Sequence, residues 1–203
     1  MSEQYFVRRP SARHAPRDIR AVLRARSLVF ATDSAVFSRT EIDRGTELLI
    51  QFVDVKPCES LLDLGCGYGP IGLSIAASVE GVHVVMTDTN RRAVALTRKN
   101  ASRNSVRVDV REGSLYDPVE GLSFDHIASN PPIRAGKAVV HGIVDGAPAH
   151  LLDGGSLWLV ARAKQGAPSL RDKMRATLGN ADVVARRSGF WVLRSFRGAR
   201  PGL

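Results

Sequence analysis

The stretch "LLDLGCGYGPIG", Leu61 to Gly72, decides the fold. A short apolar run stops at alternating glycines, and a proline then opens a second apolar run. This reads as strand, tight turn and helix, with Pro70 in the first helical turn, where its missing N–H is no loss. Gly65, Gly67 and Gly69 allow positive φ and let the backbone pass close to a ligand. The helix that follows offers unpaired N–H groups at its start. In an open α/β sheet such a turn sits at the switch point, where ligands bind.

The same rhythm continues outward from it. "HVVMTD" (His83 to Asp88) is a second strand, and "NRRAVALTRKNASR" is a helix that Asn90 can cap. "VRVDVR" and "FDHIAS" are further strands, "AVVHGIVDGAPAHL" a broken helix, and "SLWLVAR" a fifth strand. "SLRDKMRATLG" is a helix closed by Gly179, and "DVVARR" and "FWVLRSF" form an antiparallel pair across Ser188-Gly189. Alternating strands and helices predict an α/β architecture with helices on both faces of a mostly parallel sheet. The antiparallel hairpin belongs at one edge. Ahead of the glycine turn, Arg17 to Ala25 reads as a short helix, and "SLVFATDSAVFS" as two short strands around Asp33-Ser34. "DRGTELLIQFV" (Asp43 to Val53) reads as an amphipathic helix with Leu48, Leu49 and Phe52 inward.

The 203 residues suit one domain with small appendages: a basic extension over 1–26, the α/β unit over 27–197 and a flexible tail over 198–203. No apolar run is long enough to span a membrane, and the N-terminus lacks the apolar segment of a signal peptide, which points to the cytoplasm. Cys58 and Cys66 flank one strand, too far apart for a disulfide and without ligand partners, so reduced thiols and no metal are expected. The net charge of +9 is uneven. Residues 1–26 and 186–203 are each strongly basic, while the body between them is nearly neutral. A polyanionic partner and an arginine-rich genome both account for this.

A carboxylate at Asp88, closing the second strand, can accept both hydroxyls of a ribose. "GYGPIG" also satisfies the dinucleotide pattern G-x-G-x-x-G, with Asp88 in register. Asp63, two residues before Gly65, counts against a dinucleotide. A carboxylate there would repel a pyrophosphate and attract an ammonium or a sulfonium. Nothing downstream resembles a hydride-transfer site. What does follow the fourth strand is "SNPPIRAGK", Ser129 to Lys137. Asn-Pro-Pro ends a strand by withdrawing two backbone donors and leaves an amide side chain at the sheet edge.

Together these residues resemble class I S-adenosylmethionine-dependent methyltransferases, over about Ser27 to Phe196. "DSAVFSRTEIDRGTELL" and "NPPIRAGK" narrow the resemblance to the "methyltransferase small" family, which includes the catalytic half of ribosomal RNA guanine-N2 methyltransferases. It implies a Rossmann-like seven-stranded sheet with an antiparallel last strand and a small N-terminal hairpin extension. It also implies cofactor contacts from Asp63, Gly65, Cys66, Gly67, Asp88, Thr89, Ser114, Leu115 and Asn130. Two departures stand out. Ala35 occupies a usual glycine position, and Ser114 stands where an acid often meets the adenine amine.

The chemistry expected of Asn-Pro-Pro is amine alignment. An exocyclic amine is a poor nucleophile because its lone pair is conjugated. The Asn130 side-chain oxygen and the Pro131 carbonyl, held by the fixed φ of Pro131 and Pro132, would take its two hydrogens and favour a tetrahedral nitrogen. Ile133 follows where relatives carry an aromatic residue, so Phe37 is the candidate stacking ring. Arg134 and Lys137 would line the rim. RNA is the expected partner, as ribosomal RNA or a ribosomal subunit, acting with a monomer or homodimer. Arg8, Arg9, Arg13 and Arg17 are candidate phosphate contacts. A protein glutamine amide and adenine N6 are alternative acceptors, and a noncatalytic RNA- or cofactor-binding module is the alternative of another class.

Overall fold

The structure is a computed structural model that describes Arg8, Pro10 and residues 12–198, with only the backbone of Arg134. Seven strands form one sheet in the order β5-β4-β3-β6-β7-β9-β8. They are β3 (Ser60–Leu64), β4 (His83–Asp88), β5 (Asp109–Glu112), β6 (Phe124–Ser129), β7 (Leu151–Arg162), β8 (Asp182–Arg187) and β9 (Phe190–Phe196). β9, the last in sequence, runs against both β7 and β8, and the remaining pairs are parallel.

β3 shows why the parallel strands read as unbroken apolar runs. Leu61 packs into the core under α1 (Arg44–Phe52), α2 (Pro70–Ser78) and α3 (Arg91–Arg103), whereas Leu62 and Leu64 pack under α4 (Lys137–His150) and α5 (Ala167–Leu178). A strand covered on both faces needs apolar residues in both phases. Chain order reverses between β3 and β6, and this puts the switch point at the carboxyl ends of β3, β4 and β6. α4 is continuous, not broken as expected. Pro148 lies within its last turns, and the break falls only at Leu151.

The N-terminal region differs from the sequence reading. Arg17–Leu23 is a strand, β1, paired antiparallel along its length with β2 (Arg26–Thr32). The connecting turn is Arg24-Ala25, both at positive φ, as a two-residue hairpin requires, and not Asp33-Ser34. Ile19 and Leu23 face inward with strand alternation, a period that Arg-rich neighbours disguise. The boundary expected after residue 26 therefore falls inside a hairpin. Arg24 bears its left-handed conformation because its guanidinium is held. Nη1 donates to the Ile50 and Val53 carbonyls (3.0 and 2.9 Å), and Nε donates to Ser78 Oγ (3.0 Å). It closes the C-terminus of α1 and is no solvated cation.

The outer edge of β2 is paired by side chains. Asn104 donates to the Val29 carbonyl and accepts its N–H (2.8 and 2.9 Å). Asn100 does the same for Ala31 (3.0 and 2.7 Å). Two asparagines one helical turn apart thus stand in for a neighbouring strand and fix the hairpin to α3. Among the described residues, no helix is long and apolar enough to cross a membrane. Cys58 and Cys66 are both free.

Candidate active site

A cavity of about 300 Å³ opens at the switch point. The glycine turn forms its floor. Gly65 and Gly67 both take positive φ, and a Cβ added at either would meet nothing within 4 Å, so the backbone itself faces open space. The turn is tied down from two sides. Gly65 and Cys66 N–H donate to the Thr87 carbonyl (2.8 and 2.9 Å), and Gly67 N–H donates to Asp88 Oδ2 (2.9 Å). Asp88 Oδ1 accepts from Asn90 N–H (2.7 Å). Each carboxylate oxygen thus uses one acceptor site and keeps another. Burial pushes the Asp88 carboxyl up to about 6.

Asp63 behaves otherwise than its expected role suggests. It is fully buried and does not line the cavity. Its Oδ2 accepts from Gly72 N–H (2.9 Å) in the first turn of α2, whose N-cap, Gly69, has no side chain to offer. A strand carboxylate therefore does the work of the missing cap. Oδ1 has no hydrogen-bond partner among the described residues. Burial first, and then the Asp88 charge, push Asp63 up to about 7.

Cys66, Thr89, Ser114 and Leu115 line the cavity. The Cys66 thiol is raised well above its ordinary value by burial. The loop over residues 33–42 closes the cavity from above and brings Phe37 to its wall, 36% exposed. Two side chains stitch this loop to the floor. Tyr68 Oη donates to the Ser38 and Glu41 carbonyls (3.2 and 3.4 Å), and Asn90 Nδ2 donates to the Ala35 carbonyl (2.8 Å). Ala35 sits at φ +57°, a left-handed conformation that accounts for glycine being usual there.

Asn130, Pro131 and Pro132 meet the cavity from the end of β6. Ser129 Oγ ties that end to β3 by donating to the Leu64 carbonyl (2.7 Å). The Asn130 amide is gripped from α1: Nδ2 donates to Thr46 Oγ1 (2.8 Å) and Asp43 Oδ2 (3.2 Å). An ionised carboxylate only accepts, so the amide nitrogen must face Asp43 and the oxygen must face away from it. That oxygen has no partner among the described residues. Asp43 Oδ2 also caps α1 through Gly45 and Thr46 N–H (2.8 and 3.1 Å). The Pro131 carbonyl accepts Ile133 N–H (2.9 Å) across Pro132, in an inverse γ-turn, and keeps its second lone pair.

Other expected substrate contacts lie elsewhere. Ile133 does not line the cavity and packs against the core under α4. Lys137, the exposed first residue of α4, also stands off the lining, and the Arg134 side chain lies outside the described residues. Asp43, Thr46 and Tyr68 were not anticipated as site residues. Asp43 is recognisable as a helix N-cap, but its grip on Asn130 joins residues 87 positions apart.

Fold and family define a Rossmann-like methyltransferase. The chain belongs to the methyltransferase small domain family, whose model matches residues 27–194. It is 39% identical to the uncharacterized protein YbxB of Bacillus subtilis over 198 residues, 96% of this chain and 98% of that protein. It is 36% identical over 162 residues to ribosomal RNA small subunit methyltransferase C of Haemophilus influenzae, covering 77% of this chain and 48% of the relative. It thus spans about half the length of that enzyme. The T. thermophilus 16S rRNA N2 G1207 methyltransferase RsmC, solved with AdoMet and guanosine, superposes with a TM-score of 0.81 at 23% identity, over 93% of this chain and 52% of that one. At that identity the likeness is one of fold.

Proposed function

We propose that this protein is a cytoplasmic N-methyltransferase acting on an exocyclic amine of RNA, with guanine N2 of ribosomal RNA as the acceptor. The observation that carries the reading is the anchored Asn130 amide: its nitrogen is bound to Asp43 and Thr46, so its oxygen is the group left to meet a donor. The named relatives that methylate ribosomal RNA supply the substrate class.

The cavity suits the cofactor on its own geometry, with a backbone cradle at Gly65 and Gly67 and a carboxylate at Asp88 that has acceptor sites to spare. Bound there, S-adenosylmethionine supplies an electrophilic methyl group. The remaining work belongs to the chain. Asp88 would take the ribose hydroxyls, and Ser114 and Leu115 would hold the adenine. Asp63 acts through α2, by holding the glycine turn against its helix.

Asn130 Oδ1 and the Pro131 carbonyl accept the two amine hydrogens and aim the nitrogen lone pair. As the nitrogen gains positive charge both bonds strengthen, so they favour the transition state over the ground state. The amine proton released afterwards passes to water, and no strong base is needed. Phe37 provides the stacking face that Ile133 does not. Asp43 is a positioning residue: it selects which end of the Asn130 amide faces the acceptor.

The test is tritiated-methyl transfer to ribosomal subunits, total RNA and peptide-release factors side by side. Label in N2-methylguanosine supports the reading. Label in glutamine or in N6-methyladenosine moves the same chemistry to another acceptor, and no transfer with intact S-adenosylmethionine binding favours a noncatalytic module. The Asp88 role adds a pH dependence. Only the ionised carboxylate accepts both hydroxyls, so S-adenosylmethionine affinity should rise as pH passes through about 6. Calorimetry should find binding about tenfold weaker at pH 5 than at pH 8. Asp88→Asn should flatten the profile, and an unchanged profile would remove the ribose from Asp88.

A further inference from the structure

The unequal strand lengths leave a wall beside the cavity. β6 ends at Ser129, paired with Leu159, but β7 continues to Arg162, about 10 Å further at the rise of a strand. β9 and β8 accompany it, with Arg162, Phe190 and Arg187 in one cross-strand row and Arg186 paired with Trp191 in the next. Arg162 and Arg187 therefore share the sheet face of α1, and Arg186 lies on the other. Phe190 packs directly on Gly45, next to the Asp43 that anchors Asn130. The wall thus adjoins the proposed amine site.

Its charge is unneutralised. Arg162, Arg186 and Arg187 are exposed, and none makes an ion pair with a described residue. The other basic residues of the C-terminal stretch differ: Arg194 pairs with Asp182 and Arg197 with Asp153 (3.5 and 3.3 Å), and Arg200 lies outside the described residues. At the N-terminus, Arg8 pairs with Glu112 (3.2 Å), and Arg9 lies outside the described residues. The expected basic ends are thus partly spent on structure. One wall guanidinium is also pre-oriented: Arg162 lies over the Phe190 ring at 4.5 Å, as Arg186, on the opposite face, lies over Trp191 at 4.2 Å. A guanidinium stacked on a ring keeps its planar edge of donors outward, which is the geometry that binds phosphate in a two-pronged way.

We propose that the projecting end of β7, β9 and β8 is the phosphate-binding wall that holds the RNA strand flanking the target base. Arg162 and Arg187 stand two strand spacings apart, roughly 10 Å, a span of about three nucleotides in a stacked strand. A strand laid along the wall leads to the cavity mouth one strand spacing away. This rests on the RNA reading above, and its test separates the two.

The experiment compares wild type with Arg162→Gln/Arg187→Gln, with the corresponding double Lys variant, and with Arg186→Gln on the opposite face, which should leave the slope unchanged. Anisotropy of a labelled 20-nucleotide single-stranded oligoribonucleotide is read from 50 to 300 mM KCl, with S-adenosylmethionine affinity by calorimetry as the control for folding. Two lost phosphate contacts should flatten the slope of log affinity against log salt by about 1.4, and weaken binding at low salt several-fold. The Lys variant should keep most of the slope, because the charge remains. An unchanged slope in a double Gln variant that still binds S-adenosylmethionine overturns the wall. So does unchanged RNA binding with loss of methyl transfer to a protein acceptor, which would make the wall a dock for an acidic protein surface. Binding is measured without turnover. A flattened slope in a protein that methylates no RNA keeps the wall and refutes RNA as the methyl acceptor, while guanine methylation with an unchanged slope does the reverse.

Discussion

Asp88→Ala should weaken S-adenosylmethionine binding by at least about 100-fold, while the transfer rate at saturating cofactor falls far less. Both Asp88 oxygens already accept one backbone N–H each, from Gly67 and Asn90. A carboxylate offers about four acceptor sites, so two remain for the ribose hydroxyls. Bonds to a charged acceptor contribute about 1.5–3 kcal/mol each, and losing two corresponds to at least a hundredfold in affinity. Alanine also strands the two backbone donors that shape the glycine turn. Asp88→Asn separates these effects, because its single oxygen can keep one backbone partner. Calorimetric affinity in Asp88→Ala within a few-fold of wild type would disprove the assignment.

Asn130→Ala should slow single-turnover methyl transfer by on the order of 10–100-fold with cofactor affinity nearly unchanged. The loss is that of one hydrogen bond to a nitrogen becoming positive, about 1.5–3 kcal/mol in the transition state. The structure adds a sharper comparison. Because Nδ2 of Asn130 is bound to Asp43 and Thr46, Asn130→Asp would face one carboxylate with another, and should be slower than Asn130→Ala. Asp43→Ala, which leaves Asn130 in place but frees its amide to turn over, should reduce the rate without raising KM for cofactor. If Asn130→Ala instead lost cofactor binding and transferred normally when saturated, its role would be to hold the sheet edge.

How much of this was readable beforehand follows physical lines. β3, the glycine turn and α2 were legible because glycine, proline and apolar residues there obey local rules of chain geometry. β4, α3 with its Asn90 cap, and the β8–β9 hairpin were legible for the same reason. β1 was not. An arginine-rich segment of seven residues carries little periodicity, and its strand state depends on pairing with β2, whose other edge is paired by Asn100 and Asn104 of α3. Asp63 was readable as an acid beside the turn, but its bond to the α2 N-terminus is visible only in the structure.

The sequence by itself determined the α/β architecture, the glycine cradle with Asp88, and the Asn130-Pro131-Pro132 strand end, since each is written in strand, turn and helix signals that follow from local backbone chemistry. Only the tertiary structure decided that Asp43 sets the direction of the Asn130 amide, that Phe37 reaches the cavity while Ile133 does not, and that Arg162 joins Arg187 on one face of the projecting strand ends. Those facts depend on which strands and helices become neighbours, and contacts between distant residues leave no mark on local composition.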